Sequence, residues 1–102
     1  MKKCYISGKI TGLPESEYKA NFEQAKKEVS ELGLVPVSPV DLPHNHERTW
    51  ISYMKEDLTA FLTCDCIYLL ENWESSKGAV IEFHLAVQLG LETIYQPPIV
   101  KK

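Results

Sequence analysis

Between two helix-like stretches lies CDCIYLL, residues 64–70, an unbroken run of apolar, β-branched and aromatic side chains. A strand that is apolar on both faces must be covered on both faces, which is the condition of an interior strand in a parallel sheet. The helix-like stretches on either side, residues 50–62 and 77–89, are what a parallel sheet needs as crossovers. The other apolar runs fall into the same rhythm. KCYIS (3–7) and ETIYQ (92–96) read as short strands. LVPVSP (34–39) reads as an edge strand, because Pro36 has no N–H to give a ladder. Residues 15–32 place Tyr18, Phe22, Ala25, Val29 and Leu32 on one helical face, with Gly33 as the terminating cap. The order is β-α-β-α-β-α-β. It predicts one α/β domain over residues 1–102, a three-layer, Rossmann-like parallel sheet of four to five strands with helices on both faces.

Composition narrows the partners. The 102 residues carry a net charge of −3 with lysines and acids interspersed, so no basic face marks a nucleic acid as partner. The start, MKKCYISG, lacks the apolar core of a signal peptide, and no run is long enough to span a bilayer. A cytoplasmic protein without a membrane partner is expected. Cys4, Cys64 and Cys66 are an odd set and read as small buried hydrophobes in a reducing compartment, the latter two on one face of a strand. With His44 and His46 they have no ligand spacing, so no metal is expected. HNHE (44–47) reads as a Pro-flanked loop.

Ligands in parallel sheets bind beyond the carboxyl ends of the strands. Those ends carry SGKITG, SPVDLP and ENWESSKG, which converge on one rim. Both helices beside the central strand aim a carboxylate at their apolar side. With Ser76 as cap and Gly90 as terminator, the helix 77–89 turns Lys77, His84 and Gln88 outward. Glu82 then falls among Gly78, Ala79, Leu85, Ala86 and Leu89. The helix 50–62, capped by Thr49, has the stripe Trp50, Tyr53, Met54, Leu58 and Phe61, and Asp57 sits in it. Acids are rarely buried unless paired or functional, although Asp57 could also cap a loop or pair with a lysine. Ser75, Ser76 and Gly78 open the helix where free N–H groups favour an anion, and they equally suit an ordinary helix cap. A carboxylate one turn further in can act as nucleophile at a sugar carbon. Burial would raise the Glu82 pKa and helix-terminal amides would lower it; the lowering is expected to matter.

YISGKITG, KEDLTAFLTCDCIYLL and WESSKGAVIEFHLAVQLGLETIY together resemble the nucleoside 2-deoxyribosyltransferase-like superfamily, and within it a small branch catalogued as a domain of unknown function. The resemblance covers roughly residues 3–95. It implies a flavodoxin-like fold and no metal or organic cofactor. The implied activity is that of a nucleoside or nucleotide 2-deoxyribosyltransferase, or of a 2'-deoxynucleotide N-glycosidase. By the motif, Glu82 would be the nucleophile at C1', Asp57 the acid that orients sugar and departing base, and Tyr5 a residue near the sugar. Ser76, with the amides of Lys77 and Gly78, would hold a 5'-phosphate, and Gly8 would let substrate approach the backbone. Trp73 would stack on the base or pack on the rim. In the transferases a longer C-terminal part helps recognise the base; here the last strand is followed by QPPIVKK. The same fold without turnover, as a nucleotide-binding module, is the alternative reading, and an interaction protein with a decayed site is a third. Members assemble as dimers or larger. The breadth of the apolar surface on helix 77–89, with Val80, Phe83 and Val87 on its flank, independently predicts a homodimer or higher homo-oligomer.

Overall fold

A computed structural model describes residues 1–43 and 49–98; His44, His46 and the rest of HNHE lie outside the described residues. Four strands, β1 (Lys3–Ser7), β2 (Val35–Val37), β3 (Cys66–Leu69) and β4 (Glu92–Tyr95), form one parallel sheet in the order β2-β1-β3-β4. Three helices connect them: α1 (Glu15–Glu31), α2 (Trp50–Phe61) and α3 (Lys77–Leu89). β2 lies at an edge, as Pro36 requires. β1 and β3 are central and share the register Cys4 to Cys66 through Ser7 to Leu69.

Period two along the central strands divides the core. Cys4, Ile6, Cys66, Tyr68 and Leu70 meet Phe22, Ala25 and Val29 of α1. Tyr5, Ile67 and Leu69 face the opposite way, against Phe61 of α2 and Ala86 of α3. Cys64 belongs to this second cluster, so it does not share a face with Cys66. The strand begins two residues later than the apolar run suggests. Cys64 closes a turn after α2, its N–H donating to the Phe61 carbonyl at 2.9 Å, and strand alternation does not reach it. All three thiols are free and buried, and burial pushes the Cys64 and Cys66 thiols up.

The helix starts are defined by side chains. Thr49 and Ser52 form a reciprocal capping box at α2. Ser76 caps α3, its Oγ accepting from the Ala79 N–H at 3.2 Å, and Gly90 ends the helix at φ 73°. These two ends fix the rotation of α3. Lys77, His84 and Gln88 are exposed, and Glu82 is buried with Ala79 and Ala86. Leu89, expected on the inner face, is 54% exposed. A 13-residue helix runs about 20 Å and a four-residue strand about 13 Å, so the last turn of α3 overhangs the sheet. Leu91, beyond the Gly90 turn, packs against the core instead. Among the described residues no helix is long and apolar enough to cross a membrane.

Candidate active site

The strand ends, the loops after them and the N-terminal halves of α2 and α3 enclose a cleft of about 1000 Å³. Tyr5 and Glu82 belong to its lining, with Asp57, Met54, Tyr53 and Trp50 from α2 and Ser75 to Ala79 from the start of α3. The β1–α1 segment supplies Gly8, Lys9, Ile10 and Thr11, and α1 adds Glu15, Tyr18 and Lys19. Glu15 and Lys19 are paired with each other.

Glu82 is 4% exposed. Its two oxygens are held by two hydroxyls from β1: Ser7 Oγ donates to Oε1 at 2.6 Å and Tyr5 Oη to Oε2 at 3.1 Å. Both donors are themselves buried. Tyr5 and Ser7 are two apart on a central strand, so their side chains leave the same face of the sheet, the one α3 covers. Tyr5 stands third in its strand rather than at its end, steadied by an edge-on contact with Phe61 at 5.5 Å. Burial, followed by the charges of Glu82 and Asp57, raises the Tyr5 pKa well above the usual tyrosine value, so the phenol keeps its proton and stays a donor.

Burial is also the largest influence on Glu82 and pushes its carboxyl up to about 7. The Ser7 hydrogen bond opposes it, the Asp57 charge reinforces it, and the Tyr5 hydrogen bond opposes it. The expected lowering by helix-terminal amides is therefore overturned. The Ala79 and Val80 N–H groups are committed to Ser76, to its Oγ and its carbonyl. The opposing donors come from β1 and are outweighed. Asp57 is half-buried on the cleft side of α2 and close enough for its charge to act on Glu82.

The other sequence-predicted residues separate. Ser76 lines the cleft; its oxygen accepts the cap bond, which leaves its own O–H for a further acceptor. Lys77 reaches over the Trp50 ring, Nζ 4.7 Å from the centroid. Gly78 lines the cleft where α3 passes close to α2: a Cβ there would lie 3.0 Å from Met54 Sδ. Gly8 also lines the cleft, but its missing Cβ makes room for Leu70, whose Cδ1 would be 2.4 Å away. Packing against Leu70, the residue after β3, more than an approaching ligand, requires glycine there. Trp73 is not brought to the cleft. The 3-10 turn Trp73–Ser75 lays its ring against Phe83 at 4.7 Å and near Tyr95 at 6.4 Å, the rim-packing alternative. Phe83 thereby gains cover within the chain, so of the expected flank only Val87 stays more than half exposed.

Ser7 was not singled out by the sequence, and Tyr18, Trp50 and Tyr53, expected there only as apolar helix faces, form an aromatic wall of the cleft. For Ser7 a signal existed: a small polar residue two positions after Tyr5, in a strand otherwise built to be buried.

The family model that matches the sequence is described as a domain of unknown function (DUF4406) and covers residues 2–95. No curated protein matches. Solved structures that share the fold include two 2-deoxyribosyltransferases. The 2-deoxyribosyltransferase of Leishmania mexicana superposes with a TM-score of 0.69 at 20% identity, over 93% of this chain and 63% of that one. The 2-deoxyribosyltransferase of Bacillus psychrosaccharolyticus, described as a biocatalyst for synthesis of antiviral and antitumoral nucleosides, gives 0.68 at 19% identity, over 97% and 77%. The chain thus spans less than two thirds of the Leishmania enzyme, and the likeness at these identities is one of fold.

Proposed function

The chain belongs to the family described as a domain of unknown function (DUF4406), on the fold shared by those 2-deoxyribosyltransferases, and from that premise we propose that it cleaves or exchanges the N-glycosidic bond of a 2'-deoxynucleoside or its 5'-monophosphate. The observation that carries the reading is Glu82, a buried carboxylate on the wall of a strand-end cleft, with Tyr5 and Ser7 on its two oxygens. An ionised Glu82 oxygen forms a bond to C1' while the C1'–N bond breaks. The electron pair of that bond leaves with the base nitrogen, which takes up a proton. Water or a second base then attacks C1' and returns the free carboxylate, with net retention at the sugar. Asp57 orients sugar and base. The Ser76 hydroxyl, the amides of Lys77 and Gly78, and the Lys77 ammonium suit a 5'-phosphate. No step calls for a metal or an organic cofactor.

The alternative is a binding module that takes up a nucleotide without turnover. Burial favours it, since it pushes the Glu82 carboxyl up and so opposes the ionised form that attack requires. Incubation with deoxynucleosides and their monophosphates, followed by chromatography for free base, decides between the two. Release of base is expected, and a second base added to the mixture separates exchange from hydrolysis. Saturable binding without release would select the module instead.

The same reading includes a cytoplasmic homodimer or larger homo-oligomer. Val87 and Leu89 on α3 are each more than half exposed, and a second copy would cover them. Light scattering at micromolar concentration is expected to give at least twice the chain mass. A value near 11.6 kDa would refute the assembly.

A further inference from the structure

We propose that Ser7 is a positioning residue for Glu82, holding Oε1 from behind the cleft so that Oε2, on the Tyr5 side, is the oxygen that attacks. The inference rests on the reading of Glu82 as nucleophile. It starts from an asymmetry between two hydroxyls. Tyr5 and Glu82 belong to the lining of the cleft and Ser7 does not, although all three are buried and joined. Ser7 therefore meets the carboxylate on its inner side. Its bond is also the shorter, 2.6 Å against 3.1 Å.

Ser7 is well placed to be a fixed point. It is the last residue of a central strand, aligned with Leu69, and its carbonyl accepts the Leu70 N–H at 2.9 Å. Its Cα cannot follow a moving carboxylate. One oxygen of Glu82 is thus anchored to the sheet, and rotation of the carboxylate about its own axis is blocked. The longer Tyr5 bond leaves Oε2 room to reach into the cleft.

The same contact sets when Glu82 ionises. The titratable groups that face Glu82 are the Tyr5 phenol of β1 and the Asp57 carboxylate of α2; β3 presents the apolar Ile67 and Leu69 to that side, and α3 itself Ala79 and Ala86. Of the influences that keep Glu82 ionised, the Ser7 bond is the largest. Without it only the Tyr5 bond opposes burial and Asp57, and the carboxyl holds its proton to higher pH.

The test uses Ser7→Ala and Ser7→Thr in the whole protein, with two readouts. Glutamate labelled with ¹³C at its carboxyl carbon, with the Glu82 signal identified by its loss in Glu82→Gln, gives the ionisation of Glu82 by NMR without any substrate. The pH dependence of kcat/KM for base release gives it through activity. In Ser7→Ala the NMR midpoint is expected to rise by about one pH unit, with kcat/KM roughly tenfold lower at pH 6 and largely regained at pH 9. Ser7→Thr keeps the hydroxyl and should titrate as the native protein does. If Ser7→Ala does not fold, Ser7→Cys, of similar size with a weak donor, must show the same upward move. An unchanged midpoint in a folded Ala or Cys variant, or an equal rise in Thr, overturns the role of Ser7. Activity that survives Glu82→Gln overturns the nucleophile instead, and the NMR titration then still reports whether Ser7 controls the carboxyl.

Discussion

Replacing Glu82 by Gln is expected to lower base release by on the order of 10⁴-fold or more while leaving the fold intact. The size follows from the role. An amide has no anionic oxygen to bond C1', so the covalent route closes rather than slows. What remains is the contribution of binding and orientation by the rest of the cleft, which the change does not touch. The fold survives because Gln has the shape of Glu and keeps an oxygen to accept from Ser7 or Tyr5. Its neighbour Ala86 packs against Tyr5, Ile67 and Leu69 of the sheet without using the charge. Single-turnover base release measures the loss, and far-UV circular dichroism checks the fold. A folded Glu82→Gln protein that retains activity within tenfold of the native chain would place the nucleophile elsewhere.

Glu82 was legible in the sequence because both ends of its helix are. Ser76 and Gly90 bracket α3, and between two fixed ends a period of 3.6 leaves little freedom in which residue turns inward. The elements around it were legible for the same reason, with boundaries shifting by a residue or two where a turn overrode a pattern, as at Cys64. The partners of Glu82 were harder. Tyr5 and Ser7 lie 77 and 75 residues away, and only the pairing of β1 with β3 and the laying of α3 across them bring the hydroxyls to the carboxylate. A helix offers its own amides as the nearest donors to imagine, but in α3 those of Ala79 and Val80 are taken by Ser76. Trp73 illustrates a different limit. A loop tryptophan carries no periodicity, so its direction depended on whether Phe83 and Tyr95 were within reach, and they are.

The buried carboxyl that the proposed chemistry needs should also weaken the fold as pH rises. An ordinary glutamate titrates at 4.5, and Glu82 in the folded chain at about 7, mainly because burial disfavours its charge. Between these values the folded state holds a proton that the unfolded state has lost. Stability from this group is therefore complete below about pH 4.5 and declines as pH rises through 7, the reverse of a salt-bridged acid. At about 1.36 kcal/mol per pH unit, the gap between 4.5 and about 7 amounts to about 3 kcal/mol, a sizeable part of the 5–15 kcal/mol typical of a domain, as an order of magnitude. Glu28, whose carboxyl is lowered by bonds from Gln96, Tyr68 and Gln24 against the pull of burial, acts in the opposite direction. That contribution is common to the native chain and to Glu82→Gln and cancels between them. Urea unfolding of both proteins at pH 4.5 and pH 8.5 is expected to show the native chain losing about 3 kcal/mol more than the variant between the two conditions. At the higher pH the inactive variant should be the more stable protein, because it no longer holds a desolvated charge in the cleft wall. Stability curves that run parallel for the two proteins would mean that Glu82 ionises as easily in the folded chain as in the unfolded one, and that burial does not oppose its charge.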